Sequence, residues 1–161
     1  MMGHSAGATN VFTAMMLPET ADTGVFRSSI SGVILCAGVH GFAPLPLEHR
    51  SWDLAVQYWG GRKEVEEGCP TALLSRASDA AMASFPRSLV VEGEREPQWL
   101  VTVGKEFRQA FKGRTGKKLN MIVARGHNHI SLDLALGTGE GEEWAEDVLR
   151  WIASARGRSK V

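Results

Sequence analysis

Apolar residues recur at helical spacing over residues 5–17, at Ala8, Val11, Phe12, Ala14, Met15 and Met16, and Pro18 closes the run. This spacing predicts a helix that starts almost at the first residue. A polar loop is expected over residues 20–29. Gly32-Val33-Ile34-Leu35-Cys36-Ala37-Gly38 is apolar throughout and bounded by glycines, as a strand covered on both faces of a parallel sheet would be. The stretch 39–46, which holds Pro44 and Pro46, leaves that strand as a loop. In the stretch 47–68, Trp52, Leu54, Ala55, Tyr58 and Trp59 again fall at helical spacing, followed by a Gly60-Gly61 break and a charged turn over 62–67.

A short helix is expected to begin at Cys69-Pro70, and the small polar stretch 78–84 to lead back into the sheet. Ser88-Leu89-Val90-Val91-Glu92-Gly93 reads as a second strand stopped at Gly93. A helix over 98–111 follows, with Leu100, Val103, Phe107 and Phe111 on one face. A loop over 113–116 feeds a third strand over 118–124, and Gly126-His127-Asn128-His129 stands at its end. A glycine-punctuated turn and a closing helix over 142–155, with Trp144, Val148, Trp151 and Ile152 inward, complete the chain before a basic tail over 156–161. Strands that are apolar throughout and alternate with helices predict an α/β fold with a parallel sheet.

Composition narrows the function classes. The chain has 161 residues, 43% hydrophobic and 22% charged, which is the balance of an ordinary soluble domain. Lys+Arg and Asp+Glu both number 18, so there is no net field to draw nucleic acid or an anionic membrane surface. No apolar run approaches the ~18 residues of a membrane span, and a secretory signal is not apparent, so a cytoplasmic location is expected. Cys36 and Cys69 form neither a disulfide framework nor a metal-ligand spacing, and both are expected to be reduced.

The chemistry concentrates in Gly3-His4-Ser5-Ala6-Gly7. Gly-x-Ser-x-Gly is the pattern of a strand-to-helix turn so sharp that small residues must flank an exposed serine. In a chain with 18 glycines the pentapeptide alone is a weak signal. Two further groups strengthen it. In chemistry at the C-terminal ends of parallel strands, Ser5, then Glu96 after the second strand, then His129 after the third would supply nucleophile, acid and base in that order. Glu94 and Glu92 compete with Glu96 for the acid, and His127 competes with His129 for the base. The backbone N–H of Ala6 is the expected oxyanion donor. Trp52, Tyr58 and Trp59 are candidates for a substrate pocket, although aromatic residues at helical spacing more often pack inward; Trp99, Trp144 and Trp151 are read as packing residues. His127-x-His129 lacks a third ligand at sensible spacing, and neither a metal nor an organic cofactor is expected.

These three motifs, Gly3-His4-Ser5-Ala6-Gly7, Gly93-Glu94-Arg95-Glu96-Pro97 and Gly126-His127-Asn128-His129-Ile130-Ser131, resemble those in the C-terminal part of an α/β-hydrolase of the esterase and kynurenine-formamidase-like (arylformamidase) branch. The resemblance covers essentially the whole chain. It implies a three-layer α/β-hydrolase sheet truncated to the elbow helix and the last three strands, and hydrolysis of a small carboxylic ester or amide through an acyl-enzyme. In that family the acid turn usually reads Gly-x-x-Asp-Pro, so Glu96 stands where aspartate is commoner. The resemblance also implies that the strands before the elbow, and the Gly-rich loop that supplies a second oxyanion donor, are missing. The strand at 33–37 would then expose an apolar edge open to self-association. The rival expectation is a non-catalytic binding or oligomerisation module.

Overall fold

A computed structural model of the protein describes residues 1–17 and 28–156. Most of the polar loop expected over 20–29, and the basic tail beyond residue 156, lie outside the described residues. The elements in chain order are β1 (Met2–His4), α1 (Ala6–Met16), β2 (Val33–Cys36), α2 (Arg50–Trp59), α3 (Arg62–Gly68), α4 (Pro70–Arg76), α5 (Asp79–Ala83), β3 (Ser88–Arg95), α6 (Gln98–Thr115), β4 (Asn120–Asn128), α7 (Ser131–Leu134) and α8 (Glu143–Arg156). All strands are parallel and their order in space is β1-β2-β3-β4. The α/β class expected from the apolar runs is the one observed.

The sheet separates two apolar layers, which is why β2 is hydrophobic at every position. Val33 and Leu35 point into one layer with Phe12 and Met15 of α1 and Phe107 and Phe111 of α6. Ile34 and Cys36 point into the other with Leu89, Val91, Leu132 and the α8 residues Trp144 and Val148. All four β2 residues are at most 5% exposed, so a strand with a polar alternate position would leave an unpaired group in one of the layers. A third cluster, built on Phe42, Leu45, Trp52, Ala55 and Val65, lies under the α2–α3 excursion.

One expectation about the sheet is corrected. The edge of β2 is not open: Met2, Gly3 and His4 pair with Ile34, Leu35 and Cys36, and the Met1 ammonium donates to the Gly32 carbonyl at 2.9 Å. Three residues, one of them glycine, carry no strand pattern of their own, yet they are enough to cover a strand only four residues long. The open positions lie instead on β1 itself, where Met2 is 45% exposed, and along β4, where Met121 and Val123 face solvent.

Element boundaries also moved. The charged stretch 62–67 is a helix, because an Arg62–Glu66 pair one turn apart at 2.9 Å and a fully buried Val65 support it. The stretch 78–84 contains a single helical turn, capped by the Ser78 hydroxyl accepting from the Ala81 N–H at 3.1 Å. α6 runs one polar turn past Phe111 until Gly116, at φ 68°, takes the left-handed cap. Strand β3 continues past Gly93 to Arg95 through an irregularity in its pairing with β4. Among the described residues no helix is long and apolar enough to cross a membrane.

Candidate active site

Ser5 sits between β1 and α1 with φ 52° and ψ −120°, a backbone conformation strained for any residue with a Cβ. Its N–H donates to the Cys36 carbonyl at 2.9 Å, which continues the β1–β2 ladder into the turn. Its carbonyl accepts from the Ala8 and Thr9 N–H groups and so starts α1. The turn is tight enough that a Cβ on Gly3 would lie 2.3 Å from the Gly7 carbonyl oxygen and 2.7 Å from the Ala8 nitrogen. That close approach makes Gly3 obligatory. The serine is therefore held at the strand tip, at the positive end of the α1 dipole. The N–H of Ala6, the first residue of α1, has no acceptor within the helix.

Two more side chains reach this point. His129 Nε2 lies 2.9 Å from Ser5 Oγ, and His129 Nδ1 lies 2.9 Å from Glu96 Oε2. A carboxylate only accepts, so Nδ1 carries the proton and the Nε2 lone pair faces the serine O–H. The Glu96 side chain is 3% exposed, and its other oxygen accepts from the Gly93 N–H at 3.3 Å. The His129 loop is fixed by Asn128, whose Oδ1 accepts from the Ile130 and Ser131 N–H groups at 3.0 and 2.9 Å.

The competing groups are engaged elsewhere. Glu94 accepts from the Gly126 N–H at 2.8 Å and so joins β3 to the end of β4. Glu92 pairs with Arg108 of α6. His127 points away from Ser5: its Nε2 donates to the Gly141 carbonyl at 2.7 Å and its Nδ1 accepts from the Ser131 hydroxyl at 3.3 Å. Cys36, paired in register with His4, is buried, and burial with the nearby Asp133 charge pushes its thiol up to about 12. That thiol is no rival nucleophile near neutral pH. Burial beside Arg108 holds His40 down at about 3, so this ring stays neutral. Among the described residues no three His, Cys, Asp or Glu side chains converge as metal ligands.

No family model matches the chain, and no curated protein matches it. Solved structures do. Esterase B from Lactobacillus rhamnosis is similar at a TM-score of 0.65 over 98% of this chain and 53% of its own, with 13% identity. A ferulic acid esterase follows at 0.59, over 96% and 49%, with 16% identity. An esterase from the planctomycete Thermogutta terrifontis, with propionate bound, gives 0.57 over 94% and 54%, with 18% identity. The chain shares the parallel α/β fold of these esterases. The chain spans about half the length of these structures. All three are esterases, and none of their names points to the formamidase branch.

In this fold a cavity of about 480 Å³ opens beside Ser5 and His129. Tyr58 and Trp59 line it, whereas Trp52 turns into the third cluster, where its Nε1 donates to the Leu45 carbonyl at 3.3 Å. Trp99, read from the sequence as packing alone, also lines the cavity, as does Phe42. The reason is topological: Trp99 follows the Glu96-Pro97 turn directly, so the turn that places the acid also places the ring. His4 is the other residue that sequence reasoning passed over. Its Nε2 donates to the His129 carbonyl at 2.8 Å, and the two rings lie 5.1 Å apart. Its position inside the Gly-x-Ser-x-Gly pattern, on β1, was the available signal.

Proposed function

We propose that this chain carries the nucleophile, base and acid of a serine hydrolase acting on carboxylic esters. What supports the reading is the path from Ser5 Oγ to His129 Nε2 and, across the ring, from His129 Nδ1 to Glu96 Oε2, two hydrogen bonds of 2.9 Å each, on a strained turn at a strand tip.

In this mechanism Ser5 Oγ bonds to the ester carbonyl carbon while its proton passes to His129 Nε2. The carbonyl electrons move onto oxygen, where the Ala6 N–H and the α1 dipole stabilise the charge. Collapse breaks the bond to the leaving alkoxide, which takes the proton from His129 and departs as an alcohol. Water then attacks the acyl-serine, His129 removes its proton, and the acid leaves as Ser5 regains its hydrogen. Glu96 keeps the Nδ1–H tautomer and stabilises the transient imidazolium.

The test is hydrolysis of a short aryl acetate by the purified chain with Ser5→Ala as control. Turnover that disappears in Ser5→Ala is expected; turnover unchanged by Ser5→Ala contradicts the reading. The amide side of the reading, which the arylformamidase resemblance brings, is tested in the same assay with an N-aryl formamide.

A further inference from the structure

The cavity beside Ser5 has two properties that together describe an occupant. First, none of its lining residues is Asp, Glu, Lys or Arg, so a charged group entering it would lose hydration without gaining an ion pair. Second, four of its lining residues, Phe42, Tyr58, Trp59 and Trp99, form a run of aromatic rings in mutual contact. Tyr58 meets Trp59 edge-on at 4.7 Å, Trp59 meets Phe42 edge-on at 6.2 Å, and Phe42 lies nearly parallel to Trp99 at 6.5 Å. Trp59 and Trp99 are only partly buried, so these walls keep ring surface free for a guest.

The α1 helix and the serine before it supply a further wall. Ser5, Ala6, Thr9 and Asn10 fall on one face of it and all four line the cavity. Thr9 is not available to a ligand, because its hydroxyl donates to the Val39 carbonyl at 2.8 Å. Asn10 is. It stands five residues beyond Ser5, roughly 7.5 Å along the helix axis, and its Oδ1 accepts the Tyr58 hydroxyl at 3.0 Å. That bond occupies the amide oxygen and the phenol proton. It leaves the Asn10 amino group as donor and the Tyr58 oxygen as acceptor, side by side. A flat ring with its ester carbonyl at Ser5 and a hydroxyl on the opposite side spans this separation.

Resting on the hydrolase reading of Ser5, we propose that the cavity selects esters whose aromatic portion is uncharged and carries a hydroxyl para to the ester-bearing carbon, with Asn10 and Tyr58 reading that hydroxyl. The ring can belong to the acid or to the alcohol half, and the assay separates the two. Isothermal titration of the chain with 4-hydroxyacetophenone, acetophenone, 4-acetylbenzoate and cyclohexyl methyl ketone measures the cavity without any reaction. The expected order places 4-hydroxyacetophenone about tenfold tighter than the carboxylate and the aliphatic ketone, from charge desolvation and lost ring contact. Asn10→Leu, or Tyr58→Phe should Asn10→Leu fail to fold, erases the advantage of 4-hydroxyacetophenone over acetophenone and leaves acetophenone binding in place.

Equal affinities across the panel, or no binding by any member, overturn the proposal. So does a hydroxyl advantage that survives both variants. Turnover of methyl 4-hydroxybenzoate against that of 4-hydroxybenzyl acetate then assigns the ring to the acid or the alcohol half. Selective binding without Ser5-dependent turnover refutes the hydrolase reading and leaves the cavity assignment standing. Ser5-dependent turnover with no arene selectivity does the reverse.

Discussion

The strain at Ser5 gives a prediction that does not depend on turnover. Ser5→Ala and Ser5→Gly both delete the hydroxyl and its bond to His129, so the difference in stability between them isolates the backbone. At φ 52° and ψ −120° a residue with a Cβ costs about 1–3 kcal/mol. Glycine escapes that cost but loses about 0.5–1 kcal/mol more entropy on folding than alanine does. The balance favours Ser5→Gly over Ser5→Ala by about 1 kcal/mol, or about 2–4 °C in Tm for a chain of this length. Calorimetry or urea melts of the two variants measure it. Ala14→Gly, in the last turn of α1, supplies the opposite sign, a loss of up to about 1 kcal/mol against wild type. If Ser5→Gly proves less stable than Ser5→Ala, as at an unstrained helix start, the strained elbow geometry is refuted.

Three further outcomes are expected. Glu96→Gln removes the charge that holds His129 in its tautomer and lowers kcat by about 10³–10⁴ with little change in KM; a loss below tenfold in steady-state assay contradicts the role given to this acid. Gly3→Ala drives a Cβ into the backbone of Gly7 and Ala8, so urea melts are expected to show a loss of about 1–3 kcal/mol, and unchanged stability refutes the close approach. His40 is neutral in the folded protein down to about pH 3 but ionises below about 6.5 when unfolded. Between those values the unfolded chain binds the extra proton, so stability falls on acidification by up to about 1.4 kcal/mol per pH unit. His40→Leu should flatten the profile in that window, and an unaltered slope refutes the assignment.

Much of the fold was legible because burial on both faces leaves a plain mark. Val33 to Cys36 and Leu89 to Val91 could not be apolar without interruption and also face water, and the inward stripe of α6 repeats at 3.6 residues. What was missed carries weak local signal. β1 is too short to show a period and exists through its pairing with β2. α3 has one buried apolar residue, Val65, in seven, so charge concealed it. The extension of β3 to Arg95 depends on cross-strand pairing with β4, which no single-strand pattern encodes.

The candidate site was legible in a different way. Ser5 is marked by its flanking glycines, whereas Glu96 was separated from Glu94 and Glu92 by position in a turn, which the structure assigns through partners: Gly126 for Glu94, Arg108 for Glu92. His127 is the penultimate residue of β4 whereas His129 lies in the turn just past its end, so the two project differently, and sequence spacing alone does not say which one meets Ser5. The cavity walls were the least legible part. Phe42, Trp59 and Trp99 come from three segments that converge only in space, and Asn10 resembles any polar residue on an exposed helix face.

The relay from Glu96 through His129 to Ser5 is tested most directly by phosphonylation with a fluorophosphonate probe, with the modified residue located by peptide mass spectrometry. The account predicts modification at Ser5, slowed at least a hundredfold in a folded His129→Ala variant and unaffected in a folded His127→Ala variant. Modification at Ser5 that proceeds equally fast without His129, or a folded chain in which Ser5 stays unmodified, contradicts it.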